Sequence, residues 1–316
     1  MLQQIIQGYF TEKKSIKIDT PTFDQEITYL PRLGYFYYEG KIPFEKIELI
    51  NGTNIEIIKY PSRIFKGIYK DSSNNSIDEN KILINDLLYK KNITVLTNAF
   101  NFIKKCSSDH FEIIEASCKK CIIFKANPEL TNSFATISAH GIAFFNVYQD
   151  DYDEVFFVDD IAHQTGHIIL TTLCFERKSI FKIDEKINIG QILNNNDYRD
   201  VYTLLHALFT YYTTFMCLDN CIEGNVFNKN QLIESKARIG FYTKKSEIDL
   251  LNFNKVCEFF NGIQNVLTDD GIDIFKKIIY EHVRINNKWE TIILKYNYKN
   301  QTYNFSLTKF LDINKN

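Results

Sequence analysis

Proline and glycine are scarce in this chain, with 5 Pro and 12 Gly among 316 residues. So few breakers leave room for long uninterrupted elements, and no Pro- or Ser-rich linker marks a domain boundary. Net charge is also lacking: 37 basic residues face 39 acidic ones. That balance gives no bulk electrostatic reason to expect a nucleic acid or an anionic membrane as partner. Long apolar runs are missing too. The opening stretch MLQQIIQGYFTEKKS has no apolar run behind a basic flank, so neither a signal peptide nor a membrane span is expected, and a cytoplasmic location is. The seven cysteines are odd in number and scattered, which suits reduced thiols. Gly-rich phosphate loops, Ser-His-Asp patterns and nucleotide fingerprints are absent.

What the chain does have is apolar bulk. It is 45% hydrophobic and 15% aromatic, enough for one large domain or two modest ones. In the first half LGYFYYEG (33–40), NIEIIKY (54–60), KNITVLTNAF (91–100), FEIIEA (111–116), CIIFKA (121–126) and HGIAFFNVY (140–148) are short, β-branched and aromatic. They predict strands. KDSSNNSIDEN (70–80) predicts an exposed loop. From about Asp150 the character changes. DDYDEVFFVDDIAHQTGHIILTTLCFER (150–177) begins with acids, as a helix start does, and runs on without Pro. The stretches 198–221, 230–263 and 267–285 continue in helical style, and WETIILKYNYKNQTYNFSLTKFL (289–311) predicts a closing hairpin. The expected class is α+β. Residues 1–130 form a mixed region that can offer a peptide-binding surface, and residues 131–316 a mostly helical region carrying the site. The join near residue 150 can lie inside one domain.

HQTGH places His163 and His167 four residues apart. On a helix these imidazoles stand one above the other, at a separation suited to one cation. Zinc peptidases with this spacing carry Glu at the second position as general base. Here that position is Gln164, and an amide cannot take a proton from water at neutral pH. Ordinary zinc proteolysis is therefore disfavoured. A chance pairing is the alternative, but two imidazoles in an apolar segment need polar partners, and a metal supplies one. His206, within the apolar run YTLLHALFTYY, is the candidate third metal ligand; alone it reads as a core histidine. Asp160, one turn before His163, is a candidate carboxylate ligand or an orienting group. Its simpler reading is an acid near a helix start.

These residues resemble the HExxH-motif family of ribosomal-peptide modification clusters, iron- and 2-oxoglutarate-dependent peptide β-hydroxylases. HGIAFFNVYQDDYDEVFFVDDIAHQTGHIILTTL, NDYRDVYTLLHALFTYY, ESKARIGF and LTDDGIDIFKKI carry the resemblance. Together they span roughly residues 130–280. The family's Glu falls on Gln164, and in its Arg-Pro pair only the Arg is matched, at Arg199, with Asp200 in place of Pro. The resemblance implies Fe(II) held by His163, His167 and His206. Asp160 with His163 and His206 is a fallback set. It also implies 2-oxoglutarate as co-substrate and a precursor peptide as substrate, hydroxylated at a side-chain β-carbon. The far carboxylate of the keto-acid calls for a buried guanidinium; Arg199 and Arg238 are the candidates, against ordinary salt bridges. A zinc metallohydrolase and a non-catalytic precursor-peptide-binding protein are the competing readings.

Other features read more plainly. Cys118-Lys-Lys-Cys121 has redox or zinc-knuckle spacing but no second CxxC, so two free thiols are expected. His140 reads as a strand-edge residue, and His110 and His282 as exposed. Tyr202, Tyr211 and Tyr212 flank His206 and read as packing or as a peptide groove. Oligomeric state has no signal in the sequence.

Overall fold

The computed structural model describes residues 14–17, 26–30, 35–38, 48–59, 67–71, 75–301 and 304–315. The opening stretch up to Lys13 lies outside them, as do the ends of LGYFYYEG, Tyr60, residues 72–74 of the 70–80 loop and residues 302–303. The chain divides into two compact units, Met1–Leu173 and Cys174–Asn316. The class is α+β, with a small parallel sheet in the N-terminal half and most helices in the C-terminal half.

The first unit begins with an antiparallel meander of β1 (Lys14–Lys17), β2 (Glu26–Leu30) and β3 (Tyr35–Tyr38). Ser15 pairs with Thr28, and Thr28 with Tyr37. A second sheet joins β4 (Glu56–Ile58), β5 (Lys120–Phe124) and β6 (Ile142–Asn146) in parallel, with Ile57 beside Cys121 and Cys121 beside Ala143. Parallel strands are covered on both faces, which is why CIIF and IAFF read as unbroken apolar runs. Ile58, Ile122, Phe124, Ile142 and Phe144 face an aromatic cluster that includes Tyr69 and Phe134. Phe134 stacks on Phe144 at 4.4 Å between centroids.

The opposite face meets helices. Helices α1 (Asp86–Cys106), α2 (Ser108–Ser117) and α3 (Glu154–Leu173) pack on one another, with α1 against β5 and α3 against β6. Phe145 meets Phe157 of α3 edge-on at 6.1 Å. Two expected strands are helical. KNITVLTNAF lies inside α1 and FEIIEA inside α2. The reason is period: Leu88, Leu96, Phe100 and Ile103 are buried at helical spacing, and Asn85 caps α1 by accepting the Leu88 N–H. A short β-branched window hides that period.

The second unit is helical: α4 (Ile189–Leu193), α5 (Val201–Glu223), α6 (Lys229–Phe259), α7 (Ile263–Val266), α8 (Asp269–Lys295) and α9 (Leu307–Ile313). Helices α5, α6 and α8 pack mutually. Asp200, which stands where the resembled family has Pro, caps α5 through the Thr203 N–H at 2.7 Å. Asn228 and Gln231 form a capping box on α6. The expected closing hairpin is instead the end of α8 followed by α9. Ile278, Ile285 and Ile293 are buried along one side of α8 while Leu294 is exposed, a helical pattern rather than an alternating one. Among the described residues, no helix is long and apolar enough to cross a membrane.

Candidate metal centre

Helix α3 is buried nearly all round. From Val155 to Thr172 only His163 and His167 keep more than marginal exposure. Acidic residues set its start, where the Asp153 carboxylate accepts the Val155 N–H at 2.8 Å. Apolar residues around its circumference then force the whole element inside. The two ring centroids lie 5.0 Å apart with planes at 75°. Two imidazoles binding one ion at a bond length of about 2.1 Å and a right-angle-like separation also bring their centroids to about 5 Å. Although His167 keeps some surface, burial pushes its imidazole down to about 4. The ring is therefore neutral at physiological pH, the state in which it can donate a lone pair to a metal.

Asp159, Asp160 and Gln164 are buried on the same helix. Gln164 Nε2 donates to Asp160 Oδ1 at 2.9 Å, so the amide has a defined partner one helical turn away. Among the described residues, no set of three or more His, Cys, Asp or Glu side chains is drawn together to hold a metal. What the first unit offers is a pair of imidazoles, to which a metal of borderline softness would be suited.

His206 lies in the second unit on α5, half-buried, with its ring 5.0 Å from that of Tyr202. The Arg177 guanidinium sits 3.6 Å over the Tyr202 ring. Tyr211 donates to the buried Asp249 at 3.3 Å. Tyr212 packs beside Phe209 at 5.6 Å.

Both candidate arginines are paired with carboxylates. Arg199 reaches Asp249 through both terminal nitrogens, at 3.0 and 2.8 Å, and Asp197 at 2.7 Å. Burial works against the Arg199 charge, but these two acids more than offset it and hold the guanidinium ionised. Arg238 is buried, bonds Glu234 one turn away at 2.7 Å and covers the Phe305 ring at 4.9 Å. The sequence reading named the arginines but not Asp197, Asp249 or Glu234. Glu234 carried a signal, the spacing of four residues that aligns side chains on a helix. Asp249, fifty residues from Arg199, carried none.

The other features separate clearly. Cys118 and Cys121 are buried free thiols, as expected, and burial pushes Cys118 up to about 12 and Cys121 well upward. Such thiols are inert. His140 is buried, with Nε2 2.9 Å from the Thr172 hydroxyl. His110, expected to be exposed, is only 8% exposed on α2, and burial pushes it down to about 4; packing against the core overrides its polar sequence neighbours. His282 is half-buried and shifted down, again chiefly by burial. No protein-family model matches the chain, and no curated protein matches it.

Proposed function

We propose that this protein is an Fe(II)/2-oxoglutarate-dependent hydroxylase that acts on a side-chain β-carbon of a ribosomally synthesised precursor peptide. The observation that carries the reading is the pair His163 and His167, side by side and alone between Val155 and Thr172 in keeping surface. A metal site needs ligands that are held rigidly yet reachable, and the middle of a packed helix meets both demands. When bound, iron with 2-oxoglutarate supplies the oxidising chemistry for C–H hydroxylation.

The chain's own groups have separable parts. The two imidazoles hold the ion and leave its other positions to further ligands. His206 is the third donor that the sequence proposes. Gln164, with its amide nitrogen on Asp160, abstracts no proton, which favours an oxygenase over a zinc hydrolase. To bind the keto-acid's far carboxylate, Arg199 or Arg238 exchanges a carboxylate partner. Arg238 pairs with Glu234, and Arg199 with Asp197 and Asp249. None of the seven cysteines is in a disulfide, which suits a reducing, cytoplasmic setting.

A non-catalytic precursor-peptide-binding protein is the second reading. It is favoured by the lack of a three-donor set among the described residues. Anaerobic loading with Fe(II) followed by 2-oxoglutarate separates the two. A visible charge-transfer band on adding the keto-acid, and succinate release on admitting air, support the hydroxylase. A chain that takes up no iron supports the binding protein, and zinc uptake with peptide hydrolysis overturns both.

A further inference from the structure

Helix α6 is covered unevenly along its length. Up to Phe241 the last segment of the chain lies over it: Phe241 meets Phe305 at 5.9 Å, and the Tyr298 hydroxyl lies against Gly240. Beyond that point Ile248, Leu251 and Phe259 are 59%, 57% and 62% exposed. They continue the face of Gly240, because steps of three or four residues return to the same side of a helix. An exposed apolar line with a charged rim marks a contact surface. The rim consists of Lys244, Glu247, Lys255 and Glu258, all exposed or half-exposed. Seven and four residues before Leu251 stand a positive and a negative charge; four and seven residues after it stand a positive and a negative charge again. That order is antisymmetric about Leu251. A second copy laid antiparallel, Leu251 beside Leu251, sets Lys244 level with Glu258 and Glu247 level with Lys255, each twice by the two-fold axis. Slipping the pair by three residues either way sets Lys244 against Lys255 or Glu247 against Glu258. A parallel pair in register sets every charge against itself.

We propose that the face of α6 from Lys244 to Phe259 is the contact of a homodimer, in which two copies of the chain pack antiparallel about Leu251. Ile248 then lies within one turn of Leu251 on the other copy, and Phe259 covers the aliphatic stem of the other copy's Lys244. The apolar residues drive association. Exposed ion pairs are individually weak, so the charges fix direction and register instead. The face is about 22 Å long, short of a standard interface, which gives a weak dimer with a Kd on the order of 10–100 µM. This contact is independent of what His163 and His167 bind, since α6 belongs to the second unit.

Sedimentation velocity of the full-length protein from about 1 to 500 µM tests this. The sedimenting mass should rise from one chain towards two across that range. Leu251→Glu sets two like charges together at the axis and should weaken self-association at least about tenfold. Glu247→Lys faces Lys255, and Lys255→Glu faces Glu247, so each alone should weaken it about tenfold. An equimolar mixture of these last two variants restores both opposite-charge pairs across the contact. It should associate within about threefold of the parent protein. Damage to the fold would lower the melting temperature of each variant, and mixing would repair nothing. A parent protein that stays monomeric to the top of the range overturns the proposal and leaves the face to a different partner. A dimer undiminished by Leu251→Glu places the contact elsewhere and overturns it too. So does a mixture that associates no better than its two components.

Discussion

His163 and His167 stand on a helix whose other interior positions are buried, and their rings lie 5.0 Å apart. Replacing either by alanine should cost at least about a hundredfold in Fe(II) affinity, more than is usual for groups that only support a ligand. Gln164→Ala should stay within about threefold, since an amide beside the pair is not itself a ligand. Equal losses at 163, 164 and 167 in an anaerobic Fe(II) titration would contradict the ligand assignment. At this scale the sequence was legible wherever a spacing of four residues did the work, as for the imidazole pair, for Gln164 with Asp160 and for Arg238 with Glu234. It was silent where the partner comes from a distant segment. Nothing near Arg199 announces Asp249, and nothing near His110 announces that core packing encloses it.

Helices and strands show the same division. Strands β3, β4, β5 and β6, helices α3, α5 and α6, and α8 as far as Ile285 fall where the sequence predicts them, because each has a long enough window or clear turn signals. KNITVLTNAF and FEIIEA misled because short β-branched runs fit either a strand or the buried side of a helix. Within α6, Gly240 shows how a tertiary neighbour inverts a local rule. Alanine normally favours a helix over glycine by about 1 kcal/mol. A Cβ here would lie 1.9 Å from the Tyr298 hydroxyl and 2.7 Å from its ring. Gly240→Ala should therefore destabilise the protein by about 1–3 kcal/mol. The same change in a Tyr298→Leu background should become neutral or stabilising, as read by urea unfolding. A destabilisation that persists in that background would place the cause elsewhere.

Helices α5 and α8 are joined by a buried carboxylate. Asp219, 1% exposed, accepts from Arg284 at 2.7 Å and from Trp289 at 2.9 Å, and pairs with Lys288 at 2.8 Å. Glu281 and Glu223 bond the same two cations. Removing Asp219 leaves each cation one glutamate but takes away the shared buried acceptor of Arg284, Lys288 and the Trp289 N–H. Asp219→Ala should cost about 1–3 kcal/mol in chemical denaturation. A loss under about 1 kcal/mol would mean that the cations turn out to water and the network is no more than a surface pair.

For the molecule as a whole, stability should fall as the solution is acidified, because burial keeps histidines neutral in the folded state. His110 titrates at about 4 when folded against 6.5 in the open chain. Below 6.5 the unfolded chain takes up a proton that the fold refuses, so stability is lost as pH falls from 6.5 to about 4 and is unaffected by this group above that window. Its share is about 3 kcal/mol in total, from a cost of about 1.4 kcal/mol per pH unit. His167 adds to the same window in the metal-free protein. His110→Leu should flatten the dependence between pH 6.5 and 4 relative to the parent chain; identical slopes in denaturant titrations across that range would remove His110 as the cause.

By itself the sequence determined the class, the apolar helix bearing two aligned histidines and the lack of a base between them. Each of these is written in composition or in a period of three to four residues, which local backbone geometry turns directly into a shared face. Tertiary structure decided which polar groups are enclosed and by what. It placed Arg199 between two acids, closed the core over His110, fitted the Tyr298 hydroxyl against Gly240 and left surface on His163 and His167. Burial and ion pairing depend on segments far apart in the chain, and only folding sets those neighbours.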